Sequence, residues 1–174
     1  MNPELVKLDL VEDFIALVQF ANPPVNAHSQ PMLEEIASTF DTVSDRDDVR
    51  VVVLRGEGKV FCAGADIKER IGAKPLPGDH WQRSRRAREA YHSIMECRKP
   101  VIGALNGPAL GGGLAFAASC DILIASESGC LGLPEIDVGL LGGPCHLIPR
   151  FRSLDITCEG YHRFTADTPV PGRG

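Results

Sequence analysis

Residues 106–125 read NGPALGGGLAFAASCDILIA. Three consecutive glycines, Gly111, Gly112 and Gly113, stand directly before an Ala-rich apolar segment, and a β-branched run follows at once. Glycine is costly inside a helix and gives a strand no side chain to pack. A triplet at such a junction points to backbone that something must approach closely. The pattern predicts a helix over LGGGLAFAASC and a strand over DILIASE.

Outward from this stretch, strand and helix signals alternate. PVIGALNGPA reads as a strand and turn, and WQRSRRAREAYHSIMECR as a helix that Pro100 ends. AKPLPGDH before it is a Pro/Gly loop. KVFCAGADIKER reads as a short strand, an Ala-Gly-Ala turn and the start of a helix. VRVVVLRGEG is a nearly continuous β-branched run, expected for a strand buried on both faces. QPMLEEIASTFDTVSD has helical spacing, with Pro31 near its start and Leu33, Ile36, Ala37 and Phe40 on one face. LVKLDLVED and FIALVQFANPP alternate as two strands joined by a tight turn at Glu12-Asp13. Downstream, CLGLPEIDVGLL is irregular and apolar, and GGPCHLIPRF begins another helix. The alternation predicts an α/β fold with βαβ units and a largely parallel sheet. From residue 151 the helical periodicity is lost. That tail reads either as a loose terminus or as a chain cut short or altered.

Composition narrows the function classes. The 174 residues carry a net charge of −5, which disfavours a general nucleic-acid binder. One basic cluster, Arg83, Arg85, Arg86 and Arg88, reads as a solvated helix face or as a contact to an anionic ligand. Six cysteines without CxxC spacing are expected to be reduced, in a cytoplasmic protein, rather than a disulfide frame or a metal site. The N-terminal MNPELVKLDLVED has no apolar signal core, and no apolar run approaches the roughly 20 residues that span a bilayer. The expectation is a soluble protein with no membrane partner.

Two glycine-bearing turns, CAGADIK and ALGGGLA, each stand at a strand-to-helix junction. The first N–H groups of a helix lack internal partners and carry the positive end of its dipole. One such end can bind a phosphate. Two facing each other can hold one oxygen between backbone donors, as an oxyanion hole does. GPALGGGLA lacks the G-x-G-x-x-G spacing of a dinucleotide site, and a Walker lysine is missing. Close helix packing is the structural alternative for these glycines. A proton-handling partner is needed as well. Glu135, flanked by Leu133, Pro134, Ile136 and Val138, is the nearest downstream carboxylate in an apolar setting, and burial is an ordinary route to a general base. A surface-loop glutamate is the alternative. Asp137 shares that segment, whereas Asp121 reads as a structural cap or pair.

These residues resemble the enoyl-CoA hydratase/isomerase (crotonase) superfamily. FCAGADIKE (61–69), KPVIGALNGPALGGGLAFAASCDILIA (99–125) and GLPEIDVGL (132–140) are similar to its three hallmark segments in the same order. PPVNAHS (23–29) resembles its N-terminal Pro/Asn turn. The resemblance implies a crotonase-like (ClpP/crotonase) spiral of stacked ββα units, with a core over residues 1–150. Residues 151–174 then form an atypical tail, with the C-terminal helices missing or altered. It implies a homotrimer or hexamer and an acyl-CoA substrate, with no cofactor beyond the coenzyme A of that substrate. The thioester oxygen is expected between the N–H groups of Ala65 and Gly112. Ala63, Asp66, Ile67 and Lys68 are expected to line the coenzyme A site.

One departure from the family pattern separates the activities within it. Hydratases of the family place a second glutamate two residues beyond the glycine triplet, where this chain has Ala115. Glu135 is left as the only obvious catalytic acid–base, the isomerase pattern, and the position used by some other branches is Gly143. The expectation is an enoyl-CoA isomerase that shifts a β,γ double bond to α,β through an enolate. Enoyl-CoA hydratase is the close alternative, and hydrolase and decarboxylase branches use the same enolate device. A non-catalytic acyl-CoA-binding or oligomer-forming relative is the alternative of another class.

Overall fold

The computed structural model describes residues 4–70 and 76–135. Strands β1 (Val6–Glu12) and β2 (Phe14–Phe20) form a hairpin, followed by helix α1 (Gln30–Asp45) and strand β3 (Val49–Gly56). A short 3-10 helix (Ile67–Arg70) and helix α2 (Asp79–Met95) lead to strands β4 (Val101–Leu105) and β5 (Pro108–Leu110). Helix α3 (Gly112–Ser119), β6 (Ile122–Ala125) and β7 (Cys130–Gly132) complete the described chain. The main sheet runs β1-β2-β3-β4-β6, and β5 pairs with β7 in a second, two-stranded sheet. Only β1 runs antiparallel to its neighbour; every other pairing is parallel. The predicted α/β class with a largely parallel sheet is thereby met.

Local chemistry accounts for the elements around the site. Helix α1 starts where predicted because the Ser29 side chain accepts from the Met32 N–H and proline sits in the first turn, where its missing N–H costs nothing. Its apolar stripe, Met32, Leu33, Ile36, Phe40 and Val43, is buried against the sheet, while Ala37 lies at the margin. The turn before α1 is pinned by buried Asn26, whose side-chain amide donates to the Glu57 and Val60 carbonyls. Helix α3 is buried all round, Gly112 through Ser119, as an apolar helix without a polar face must be. Phe116 at its centre meets Phe20, Tyr91 and His28 edge to face or tilted.

Several expectations need correction. Strand β3 is not equally buried on its two faces. Val49, Val52 and Leu54 are buried, whereas Val51 and Val53 are only partly covered, because within the described residues the helices pack mainly on one side. The short strand expected at KVFC is a single bridge, Cys62 to Ala109. Helix α2 ends at Met95, four residues before Lys99, its last N–H bonds closing on Glu96 rather than being stopped by Pro100. CLGLPEIDVGLL, expected to be irregular, contributes β7. Cys62, Cys97 and Cys120 are free thiols as expected, but Cys130 is disulfide-bonded, which corrects the uniform assignment of reduced thiols; scattered spacing cannot show which cysteines the fold brings together. Residues 73–75 of the AKPLPGDH loop, Asp137, Gly143, the helix expected at GGPCHLIPRF and the 150/151 domain boundary lie outside the described residues.

Of the four arginines on α2, three have partners on the protein surface. Arg85 pairs with Glu89, Arg86 with Glu34, and Arg88 lies over the Trp81 ring. This favours a solvated helix face. Among the described residues no helix is long and apolar enough to cross a membrane.

Candidate active site

The three glycines of the opening stretch face three different neighbours. Gly111, the N-cap of α3, has φ 53 and ψ −116, a backbone conformation that side chains disfavour. A methyl there would overlap Glu135 Oε1 and stand 2.9 Å from its Cδ. A methyl on Gly112 would overlap His28 Nε2 and stand 3.1 Å from the Tyr91 hydroxyl oxygen. One on Gly113 would overlap the Cys62 carbonyl. Close approach is therefore required, as the sequence suggested, but at the Cβ positions the approaching groups belong to the protein itself. Successive helical residues point about 100° apart, so one triplet can accommodate three contacts.

Glu135 reaches Gly111 through the second sheet. The Gly111 N–H donates to the Gly132 carbonyl at 2.9 Å, and β5 pairs with β7 from Pro108 to Leu110. Glu135 follows β7 by three residues and is partly buried. Its Oε2 is enclosed and, among the described residues, makes no hydrogen bond.

The second turn packs against the same helix end. Gly64, with φ 94, sits where a methyl would be 3.0 Å from the Leu110 carbonyl oxygen and 3.4 Å from the Gly112 nitrogen. His28 bridges to Ala65 in parallel: the His28 N–H donates to the Gly64 carbonyl and the Asp66 N–H to the His28 carbonyl. In such a bridge the central residue points its own N–H away from the partner strand. Among the described residues neither the Ala65 nor the Gly112 N–H has a protein acceptor. Two donors from two turns thus stand side by side, one of them in the first turn of a buried helix.

Ala63, Asp66, Ile67 and Lys68 extend from this point as a surface strip. Ala63 is tied to Val25 through its N–H, and Asp66 Oδ1 accepts from the Lys68 N–H. Ile67 is 69% exposed, unusual for an isoleucine. The Glu69 carboxylate accepts from the Gln30 N–H at the start of α1, which anchors the strip's far end. Ala115, 1% exposed, lies in the first turn of α3, and its N–H donates to the Gly111 carbonyl. The 63–66 turn, the glycine triplet and Glu135 thus come together at the N-terminal end of α3.

Sequence reasoning passed over His28 and Tyr91. Both are buried, and both have a polar atom at Gly112. A signal was present: Tyr91 lies between Ala90 and Ile94 on the only buried stripe of α2. Burial pushes its phenol pKa up, with the nearby Cys62 and Glu135 charges adding to the effect, so the group stays protonated and acts as a donor.

Burial also pushes the Cys62 thiol up to about 12, against the lowering effect of the Gly64 and His28 backbone N–H groups. A folded-state value above the ordinary 9.0 means that unfolding releases a proton once the pH exceeds 9.0. The contribution of Cys62 to stability is complete below that pH and declines as pH rises from 9.0 toward 12. Iodoacetamide at pH 8 should accordingly leave Cys62 and Cys120 unlabelled in the folded protein while half-exposed Cys97 reacts, as read by peptide mass spectrometry. Rapid labelling of Cys62 would mean that the turn beside Gly113 is open.

Comparison with known proteins identifies the family. Residues 11–152 match the family model described as enoyl-CoA hydratase/isomerase. A probable enoyl-CoA hydratase of Bacillus subtilis is 41% identical over 165 residues, covering 94% of this chain and 62% of that protein. A Mycobacterium tuberculosis protein named as a (7aS)-7a-methyl-1,5-dioxo-2,3,5,6,7,7a-hexahydro-1H-indene-carboxyl-CoA hydrolase is 36% identical over 136 residues, 78% of this chain and 55% of that one. The crystal structure of an enoyl-CoA hydratase/carnithine racemase from Magnetospirillum magneticum superposes with a TM-score of 0.80 at 31% identity, over 95% of this chain and 64% of that one. The fold is the crotonase-like α/β fold. The chain belongs to the enoyl-CoA hydratase/isomerase family, and it spans less than two thirds of the length of these relatives.

Proposed function

We propose that this chain carries the acyl-CoA core of an enoyl-CoA isomerase. The observation that carries the proposal is the pair of adjacent backbone donors, Ala65 and Gly112, beside a carboxylate with an unpartnered buried oxygen. A thioester carbonyl seated on the two N–H groups gains stabilisation as its oxygen becomes an enolate, because the donors are already oriented. Glu135 removes the proton from C2 of a β,γ-enoyl thioester. The electron pair moves onto the thioester oxygen, and the same carboxyl returns the proton at C4. The double bond ends between C2 and C3, with no atom gained or lost. The Ala63–Lys68 strip is the proposed coenzyme A contact, and no cofactor beyond that coenzyme A is needed. A homotrimer or hexamer in the cytoplasm belongs to the same proposal.

Ala115 supports isomerase over hydratase. It holds the position, two residues beyond the glycine triplet, where the family's hydratases carry their second glutamate, and its methyl offers an attacking water no anchor. The second reading, enoyl-CoA hydratase, is supported by the name of the Bacillus subtilis relative. A panel of 2-enoyl- and 3-enoyl-CoAs followed by mass spectrometry separates the two. The unmodified protein should shift 3-enoyl substrates without adding water. Ala115→Glu should gain measurable hydration of a short 2-enoyl-CoA, with some loss of stability from burying a carboxylate at a site only 1% exposed. Robust hydration by the unmodified protein would replace the isomerase proposal with the hydratase one.

A further inference from the structure

Helix α2 brings a polar atom to the Gly112 end of α3. Tyr91 is 5% exposed, with its ring packed on Phe116 at 4.8 Å between centroids. Its hydroxyl oxygen lies 3.1 Å from the point where a Gly112 side chain would begin, and the His28 ring edge reaches the same point. No hydrogen bond joins this hydroxyl to another described residue, and its oxygen is not one of the fully enclosed unpartnered atoms of the described chain, so it keeps an opening toward a ligand. At the same helix end, beside Gly111, Glu135 Oε2 is enclosed and unpartnered among the described residues. Gly112, whose own N–H lacks an acceptor, stands between them.

We propose that Tyr91 is a substrate-contacting residue whose phenol O–H adds a third hydrogen bond to the thioester oxygen held by the Ala65 and Gly112 N–H groups. This rests on the acyl-CoA site proposed above. The donor comes from α2, an element outside the segments that resemble the family's hallmarks. Among the described residues the hydroxyl has no acceptor, and the bound carbonyl oxygen supplies one. As that oxygen gains charge in the enolate, the hydrogen bond becomes charge-assisted and strengthens, so Tyr91 favours the enolate over the ketone form. The phenol retains its proton throughout; only the hydrogen bond changes.

Tyr91→Phe tests this because it removes one oxygen and keeps the ring on Phe116. The probe is a 3-oxoacyl-CoA, which enolises and whose enolate absorbs in the near ultraviolet. The unmodified protein should bind the probe and lower the pH at which it enolises. Tyr91→Phe should bind the enolate about tenfold more weakly and raise that pH by about one unit, while its melting temperature holds or rises because no protein hydrogen bond is lost. Binding of the ketone form should change less than binding of the enolate. An unaltered enolisation midpoint in Tyr91→Phe would overturn the proposal while leaving Ala65, Gly112 and Glu135 in place. A fall in melting temperature with an unaltered midpoint would assign Tyr91 a packing role only and would equally overturn it. Failure of the unmodified protein to bind the probe at all would instead refute the acyl-CoA site on which the proposal stands.

Discussion

Glu135→Gln should lower double-bond isomerisation by at least about 100-fold, the contribution general-base catalysis usually makes, while acyl-CoA affinity stays within a few-fold of the original. Glutamine keeps the size and most of the hydrogen bonding of glutamate but cannot take up a proton. Because Glu135 Oε2 has no protein partner among the described residues, the substitution breaks no internal hydrogen bond, and the melting temperature should hold. The loss should therefore appear in kcat rather than KM, since in the proposed site the thioester is held by backbone groups that the change does not touch. Steady-state kinetics with a 3-enoyl-CoA and titration with a saturated acyl-CoA give both numbers. A variant that turns over at a near-normal rate would remove Glu135 from the chemistry and direct attention to Asp137.

Gly111→Ala should produce a loss of similar size by a different route. The methyl would overlap Glu135 Oε1, the far end of a flexible side chain, so the carboxylate is displaced rather than the fold broken. The positive φ of 53 adds backbone strain, on the order of 1–3 kcal/mol for a residue with a Cβ. Misplacing a catalytic group by about 1 Å can cost about 100-fold in rate. We expect a folded protein with a lowered melting temperature, retained acyl-CoA binding and turnover reduced by about two orders of magnitude. Full turnover in a folded Gly111→Ala would show that the Glu135 position against Gly111 has no bearing on the reaction.

The same geometry alters what bulk at Gly112 tests. The family resemblance places the thioester oxygen at the Gly112 N–H, where added bulk would be expected to crowd it. In the structure a side chain at 112 first meets His28 and Tyr91 inside the protein. A Gly112 variant therefore mixes packing with chemistry, whereas Glu135→Gln tests the proposed proton transfer without a change of bulk.

Sequence by itself determined the elements whose signal is local. The bounds of α1 follow from the Ser29 cap, the proline in its first turn and a periodic apolar stripe. The burial of α3 follows from its having no polar face, and the parallel sheet from alternating strand and helix patterns. The family resemblance is carried by short contiguous segments in a fixed order, so it too was legible. Tertiary structure alone decided what depends on pairing between distant residues. Strands β5 and β7 have three residues each, too short for an alternation to register, and they exist because each supplies the other's hydrogen bonds. Their pairing sets the Gly111 to Gly132 bond, and through it the position of Glu135. His28 and Tyr91 carry no mark of their place because 63 residues separate them, and only the packing of α2 and the Asn26 turn around Phe116 brings both to Gly112.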